Sequence, residues 1–565
     1  MNVLGLGFTD HDASAALVVD GRLKSAIALE RLTRLKHDGR KFGNKKIGLD
    51  LASQYCLDES GLKLNDVDLV VWNQIDHISA KILTIQLVLE GAQTFSGIPL
   101  LVLPHHFAHA CAAFYLSPFT EAAVLVADGS GGRLAGITEN CAGPEMESIR
   151  DKQTVIQNFL QENTETATEL ESFYYCDGKH WSTLRKVVGD DDGIGARYGT
   201  INALLFANPI DGGKTMGLAP YGNADDAPLF LEPRGSDEMR AFQGIHGPEW
   251  EAFRQQMKAW RKAGPDPNYL DAVPANFSAS MQRQAEEAML THARWLHVTS
   301  GSSKLCLGGG VALNCVANSH IARHAGFDEV FVPPAPGDDG IAVGCALYGA
   351  AAHGELRRDP CPVYLGKSYA HNPEEIKSLG LTQITPDAML YEWLANKIAN
   401  GAVIGWYQGG AELGPRALGH RSLLADARRP DMRDHLNRVV KNREMFRPFA
   451  PVVLEEAVLE YFEELHPSYF MSFVSAVRKE KRANVPAITH VDGTSRYQVL
   501  RKANNPELYE LVSAFAKQTG VPLLLNTSFN RAGEPIVETP LEAARCMLAA
   551  SVEYLVLDGI IYGHG

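Results

Sequence analysis

The sequence predicts an α/β domain followed by an α+β domain, on three observations. Short Val/Ile/Leu runs broken by Gly turns alternate with amphipathic stretches over the N-terminal two thirds. A strand-turn-strand pattern occurs there twice. A polar, Pro-containing break, His353-Gly354-Glu355-Leu356-Arg357-Arg358-Asp359-Pro360, separates this region from about 200 residues of different character. The division is placed at 1–358 and 359–565. With 565 residues, 45% hydrophobic and 21% charged, the chain is ample for two large cores, and its 51 Gly and 29 Pro disfavour disorder, collagen and coiled coil.

The first copy of the pattern, at 3–27, reads as strand, polar turn (Thr9-Asp10-His11-Asp12), strand, Asp20-Gly21 hairpin turn and strand. The second, at 124–137, has Asp128-Gly129-Ser130-Gly131-Gly132 as its turn. Two such units with acidic and small residues at the first turn are what a duplicated actin-like fold uses to grip phosphates; two ordinary hairpins fit the same segments. Ser278 is positioned to cap a helix running to about 296. The run Lys304-Leu305-Cys306-Leu307-Gly308-Gly309-Gly310 then gives strand, glycines and a helix opening near Asn314, an arrangement that suits a nucleotide through Gly129, Gly309, Gly310 and Asn314. Beyond the break a helix is expected at 386–399, with strands at 402–407, 449–454, 521–525 and 554–557.

Lys plus Arg number 53 against 67 Asp plus Glu, a net charge of −14 that disfavours nucleic acid as a partner. No apolar run is long enough to span a membrane, and the start lacks a signal-peptide pattern. Nine scattered Cys without a C-x-x-C pair fit a reduced, cytoplasmic protein.

Two clusters carry candidate chemistry. His105 and His109 stand i,i+4 in Pro104-His105-His106-Phe107-Ala108-His109, on one face of a helix. With Asp128 and Asp338 from two acidic turns they make a mixed nitrogen and oxygen set that suits Fe(II), Mn(II) or Zn(II). The stretch 416–447 holds nine basic residues against four acidic ones, an exception in an acidic chain. About half are expected to be solvated surface charges. Arg416 and Arg421, in a Gly- and Pro-bounded turn, are expected to join Lys441 and Arg447 in clamping phosphate oxygens, with Arg496, Asn526 and Ser528 completing the pocket. His11, between Asp10 and Asp12, is a candidate general base, and Lys36 is either a basic surface edge or a phosphate lid.

Ten stretches in order resemble the ATP-dependent O-carbamoyltransferases of the nodulation-protein U and tobramycin-carbamoyltransferase type. They include His11-Asp12-Ala13-Ser14, Glu30 to His37, His105 to Ala110, Met216-Gly217-Leu218-Ala219-Pro220-Tyr221-Gly222, Gly414 to Arg421 and Asn526 to Asn530. The resemblance implies an actin-like domain of the ASKHA class, similar to threonylcarbamoyl transferases, followed by an α+β YrdC-like domain. It implies that the second domain makes carbamoyl-adenylate from carbamoyl phosphate and ATP with Mg, using Arg416, Lys441, Arg447, Arg496, Asn526 and Ser528. The first would transfer the carbamoyl group to a small hydroxylated acceptor, such as an intermediate of antibiotic biosynthesis, with His11 as base, Lys36 as a lid and iron on His105, His109, Asp128 and Asp338. A fused tRNA threonylcarbamoylation enzyme and a non-catalytic nucleotide- and metal-binding module are the alternatives. A homodimer is compatible with the same resemblance, and 153–192 matches nothing in the family.

Overall fold

A computed structural model describes residues 1–9, 11–38, 45–74, 95, 97–131, 168–189, 192–234, 241–263, 272–464 and 466–564. The chain forms two compact units: Met1–Thr33, His37–Pro265 and Asn276–Leu365 make the first; Arg34–Lys36, Asp266–Ala275 and Gly366–Gly565 the second. Arg357, Arg358 and Asp359, where the break was expected, belong to the first unit. Arg357 N donates to Gly21 O (2.8 Å), and Arg358 donates to the carbonyls of Phe114 and Ser117 while lying over the Phe114 ring. Phe114 O also accepts from Ser117 N (3.0 Å) and Ser117 Oγ (2.7 Å), so the guanidinium joins the cap at this helix's C-terminal end and holds the segment there.

In the first unit β1 (Asn2–Phe8), β2 (Ala13–Val19), β3 (Arg22–Ala28), β4 (Leu69–Gln74) and β5 (Leu100–Pro104) form a sheet ordered β3-β2-β1-β4-β5. β1 and β2, and β2 and β3, are antiparallel; β1, β4 and β5 run parallel. A second sheet has β6 (Ala122–Ala127), β7 (Thr168–Cys176) and β8 (Trp181–Gly189), then, after a β9 (Leu231–Arg234) and β10 (Ala241–Gly244) ribbon, β11 (Lys304–Gly308) and β12 (Glu329–Phe331). Its order, β12-β11-β6-β7-β8, and its strand directions repeat those of the first sheet. The duplication expected from the sequence is therefore present. The return strand is β7; the strand expected at 132–137, like Asp10 and Gly132, lies outside the described residues. Central strands such as β6 are buried along their whole length, as a sheet covered on both faces requires.

Glycines set how closely the layers pack. The helix Ile341–Ala352 lies against β1 at Gly5, where a Cβ would stand 2.1 Å from Ala342 O. It meets the helix His105–Leu116 at Gly344, where a Cβ would stand 1.9 Å from Ala108 O. The long helix begins earlier than expected, spanning Ala272–Ser300. Ser278 is consequently a fully buried interior residue and not a cap, because Pro274 is already accommodated in the first turn.

In the second unit the sheet is ordered β13-β22-β21-β14-β15-β20-β16-β19, from β13 (Leu381–Ile384), β14 (Ile404–Tyr407), β15 (Arg421–Ala425), β16 (Ala450–Leu454), β17 (Val474–Ala476), β18 (Thr494–Arg496), β19 (Gln498–Leu500), β20 (Leu523–Ser528), β21 (Tyr554–Leu557) and β22 (Ile560–His564). β17 and β18 pair separately. Helices Leu390–Ala399, Pro506–Thr519 and Pro540–Ala549 pack on this sheet around one apolar core. The expected 386–399 helix starts later, at Leu390, since residues 386–389 do not join it. Among the described residues eight cysteines form no disulfide, and no helix is long and apolar enough to cross a membrane.

Gly344→Ala is expected to destabilise the first unit by about 1–3 kcal/mol, since the added methyl meets backbone and cannot be relieved by a rotamer change. A lowered urea midpoint with unchanged slope is the result that checks it.

Candidate active site

The helix His105–Leu116 begins directly after β5, so its first turn carries His105 and His109 to the C-terminal ends of the parallel strands. Their Nε2 atoms stand 3.3 Å apart. Asp128 follows β6, and Asp338 opens the turn preceding the helix Ile341–Ala352. Asp128 Oδ2 lies 3.0 Å from His105 Nε2 and 3.1 Å from His109 Nε2; Asp338 Oδ1 lies 3.6 and 3.2 Å from the same nitrogens. All four ligand atoms fall within 4.8 Å of one another, in a donor set able to hold a borderline divalent metal ion.

The glycine turns serve this carboxylate. Asp128 Oδ1 accepts hydrogen bonds from Gly129 N and Gly310 N, both 2.9 Å, which leaves Oδ2 to the imidazoles. Gly309 adopts φ +85°, and a Cβ there would stand 2.2 Å from Ala127 O. Its N–H donates to Pro336 O (2.9 Å), joining the two turns. Asn314 caps the helix Cys315–His324 by accepting from Ala317 N (3.1 Å), and its amide pairs with Gln282. The backbone N–H groups of these three glycines make bonds within the protein that shape the Asp128 and Asp338 turns.

Burial acts on these groups strongly. It would lower the His109 pKa, but Asp128 and Asp338 outweigh it and raise it to about 10. Burial would raise Asp128, and the hydrogen bonds and charges of His105 and His109 instead hold it well below the usual carboxylate range. On its far side His105 Nδ1 is 3.3 Å from Asn73 Nδ2, and Asn73 is fixed by accepting from Phe8 N (2.8 Å) and donating to Phe8 O (3.0 Å). Asn73 carries no motif that would have marked it in the sequence. His11 reaches the same place: Nε2 is 3.5 Å from Asp338 Oδ2, and Nδ1 is 2.9 Å from Asp12 Oδ2.

The second unit brings Lys441, Ser528 and Asn530 together. Residues Leu436–Val440 wind as a π-helical turn, and Lys441 N–H closes it on Leu436 O (2.8 Å). The buried Lys441 ammonium donates to Ser528 O, to Ser528 Oγ (3.2 Å) and to Asn530 O and Oδ1 (2.9 and 2.7 Å). Burial, with the charges of Arg443, Lys36 and Arg447, pushes its pKa well below the usual lysine range. Lys36 is exposed and belongs to this unit. Arg416, Arg447 and Arg496 are half-buried, and Asn526 is buried, donating to Ala417 O (3.1 Å) and Gln498 Oε1 (2.9 Å).

Arg421 is a correction. It is fully buried, donates to the carbonyls of Gln408 (2.8 Å), Gly409 (2.8 Å), His420 (3.1 Å) and Glu538 (3.3 Å), and lies 3.5 Å over the Tyr407 ring. A guanidinium so engaged holds the loop and does not clamp phosphate. Arg429 and Arg433 pair with Asp431 and Asp434 at the surface, the role expected for part of the basic run, whereas Arg428 pairs with the buried Asp426. Glu412, which no motif marks, organises the 412–421 loop, its Oε1 accepting from the N–H groups of Leu418 (2.6 Å), Arg421 (3.3 Å) and His420 (3.4 Å).

Two family models cover most of the chain. "Carbamoyltransferase N-terminus" matches residues 2–96 and 79–347, and "Carbamoyltransferase C-terminus" matches 395–563. The protein is an enzyme of carbamoyl transfer. The chain belongs to the carbamoyltransferase family, in the group that includes the nodulation proteins U. It is 34% identical to nodulation protein NolNO of Sinorhizobium fredii, over 98% of this chain and 78% of that protein. Nodulation protein U of Rhizobium tropici is 28% identical over 100% of this chain and 96% of its own. The 3'-hydroxymethylcephem-O-carbamoyltransferase of Streptomyces clavuligerus is 31% identical over 70% of this chain and 74% of its own. Among solved structures, full-length HypF in its phosphate- and nucleotide-bound form aligns with TM-score 0.35 and 12% identity, covering 62% of this chain and 55% of HypF, so the chain spans about half the length of that protein.

Glu171 on β7 provides a pH-dependent readout of the first unit. It is fully buried, its Oε1 accepts from Ile194 N (3.3 Å), its Oε2 has no partner, and burial raises its pKa to about 8. The folded state therefore keeps a proton that the unfolded state loses near the ordinary glutamate value of 4.5, so this group's contribution to stability falls as pH rises from there to about 8. Glu171→Gln, which mimics the protonated acid, is expected to match wild type near pH 5 and to gain stability over it toward pH 8, by at most about 1.4 kcal/mol per pH unit. Parallel urea titrations at both pH values check the sign.

Proposed function

We propose that this chain is an ATP- and carbamoyl-phosphate-dependent O-carbamoyltransferase acting on a hydroxyl of a small acceptor, in the class of secondary metabolites and antibiotic intermediates. The observation that carries the reading is Lys441: a buried ammonium held only by neutral oxygens in its hydrogen bonds and pressed by Arg443, Lys36 and Arg447. Such a group is stabilised by an incoming phosphate, which supplies the missing negative charge. On this reading the second unit, taken as YrdC-like, joins the carbamoyl group to AMP. Carbamoyl phosphate, ATP and one water give carbamoyl-adenylate, phosphate and pyrophosphate. Arg416, Lys441, Arg447 and Arg496 gather the phosphate charges, while Asn526 and Ser528 offer polar contacts beside them.

The first unit, taken as actin-like, carries out the transfer. His11 accepts the proton of the acceptor hydroxyl as its oxygen attacks the carbamoyl carbon, and the carbon–oxygen bond to the AMP phosphate breaks. Asp12, 2.9 Å from His11 Nδ1, supports the imidazolium that forms. His105, His109, Asp128 and Asp338 would hold a divalent metal, iron on the family resemblance. When bound, such an ion supplies Lewis-acid stabilisation of developing negative charge. Similarity to a cephem O-carbamoyltransferase supports an oxygen acceptor.

Two outcomes are expected. Pyrophosphate release from ATP should depend on carbamoyl phosphate and fall by about 100-fold or more in Arg416→Ala and Lys441→Met, as loss of a preorganised charge contact costs; full release in both would exclude the adenylation site. A mass increment of about 43 Da on a hydroxylated acceptor should require both donors and vanish in His11→Ala while pyrophosphate release persists. Threonine with bicarbonate in place of carbamoyl phosphate should give no product.

A further inference from the structure

We propose that Asp12, Glu30 and His37 form a second divalent-cation site in the first unit, separate from the His105, His109, Asp128 and Asp338 set. One ligand atom from each lies within 4.8 Å of the others. Ligands about 2.0–2.6 Å from a common ion span no more than roughly twice that distance, so the three fit one ion without rearrangement. The site is built from two segments at the ends of the β2–β3 hairpin: Asp12 comes from the turn after β1, and Glu30 from the short helix Leu29–Thr33 that follows β3. Glu30 Oε2 accepts from His37 N (2.8 Å), which brings the imidazole back to the carboxylates and leaves the other Glu30 oxygen for a ligand.

His37 is what distinguishes this group from an ordinary acidic cluster. Its Nδ1 is shielded from solvent, makes no hydrogen bond, and lies 3.5 Å from Asp12 Oδ2. That separation is long for a hydrogen bond and suits two ligands of one ion. Two carboxylates and one imidazole, with coordination positions left for water or a phosphate oxygen, favour a hard to borderline ion such as Mn2+ or Mg2+. The His11 ring stands between the two clusters, Nδ1 toward Asp12 and Nε2 toward Asp338. An ion at the second site therefore changes the charge next to the proposed base without touching the first.

Metal-free full-length protein titrated with Mn2+ alone, the free ion read by electron paramagnetic resonance, tests this independently of any carbamoyl chemistry. Glu30→Gln and His37→Gln are each expected to bind about one Mn2+ fewer per chain than wild type, whereas His105→Ala with His109→Ala retains that ion. Bound Mn2+ in this His105→Ala, His109→Ala background should show coupling to a single imidazole nitrogen, lost on adding His37→Gln. Unchanged Mn2+ binding in the Glu30→Gln, His37→Gln protein overturns the proposal. So does the absence of nitrogen coupling in the His105→Ala, His109→Ala protein, a measurement that holds even where the other variants fold poorly.

Discussion

The Asp128 carboxylate is the constraint around which the first unit is arranged. One oxygen is held by two backbone N–H groups, Gly129 and Gly310, and the other faces two imidazoles. A buried carboxylate is tolerated only where such donors replace its hydration, and here they come from segments nearly two hundred residues apart. The strand order that places β6 beside β11 is what brings them together. The glycine run after β11 then follows from sterics, since a side chain at Gly309 would collide with the Ala127 carbonyl and one at Gly310 with the Asp128 carboxylate.

The second unit solves the opposite electrostatic problem. Lys441 is placed by a π-helical turn in a site where its own hydrogen bonds go to neutral oxygens while nearby cations act against it. An ammonium in that position is favoured by an anion, whereas Arg421, at the start of β15, has its charge spread over four carbonyls and an aromatic face. The two residues look alike in a basic run and do unlike things, because one projects toward a polar turn and the other fills the core beneath it. Glu412 illustrates a third use of a buried polar side chain, accepting from the amides of Leu418, His420 and Arg421 so that the loop bearing Arg416 keeps its shape.

The histidine pair could be read from the chain because i,i+4 spacing on a helix is local geometry, and the acidic turns at Asp128 and Asp338 because turn residues announce strand ends. The strand-turn-strand echo was legible for the same reason. The residues that went unmarked or misplaced are those whose roles are set by packing and sheet register. Ser278 has the chemistry of a cap, but helix length is decided by packing, and Pro274 opens the helix upstream. Asn73 and Glu171 are unremarkable in sequence, and only the sheet registers place one behind His105 and the other, with Oε2 unpartnered, on β7.

By itself the sequence determined which side chains carry charge and ligand atoms, the α/β to α+β succession, and the duplicated strand pattern, since these rest on residue type and short-range periodicity. The tertiary structure decided which of those groups meet: that Asp128 serves two histidines, that Arg421 is spent on backbone, and that Asp12, Glu30 and His37 converge. Convergence is set by sheet order and burial, which sum over the whole chain and leave no local signature.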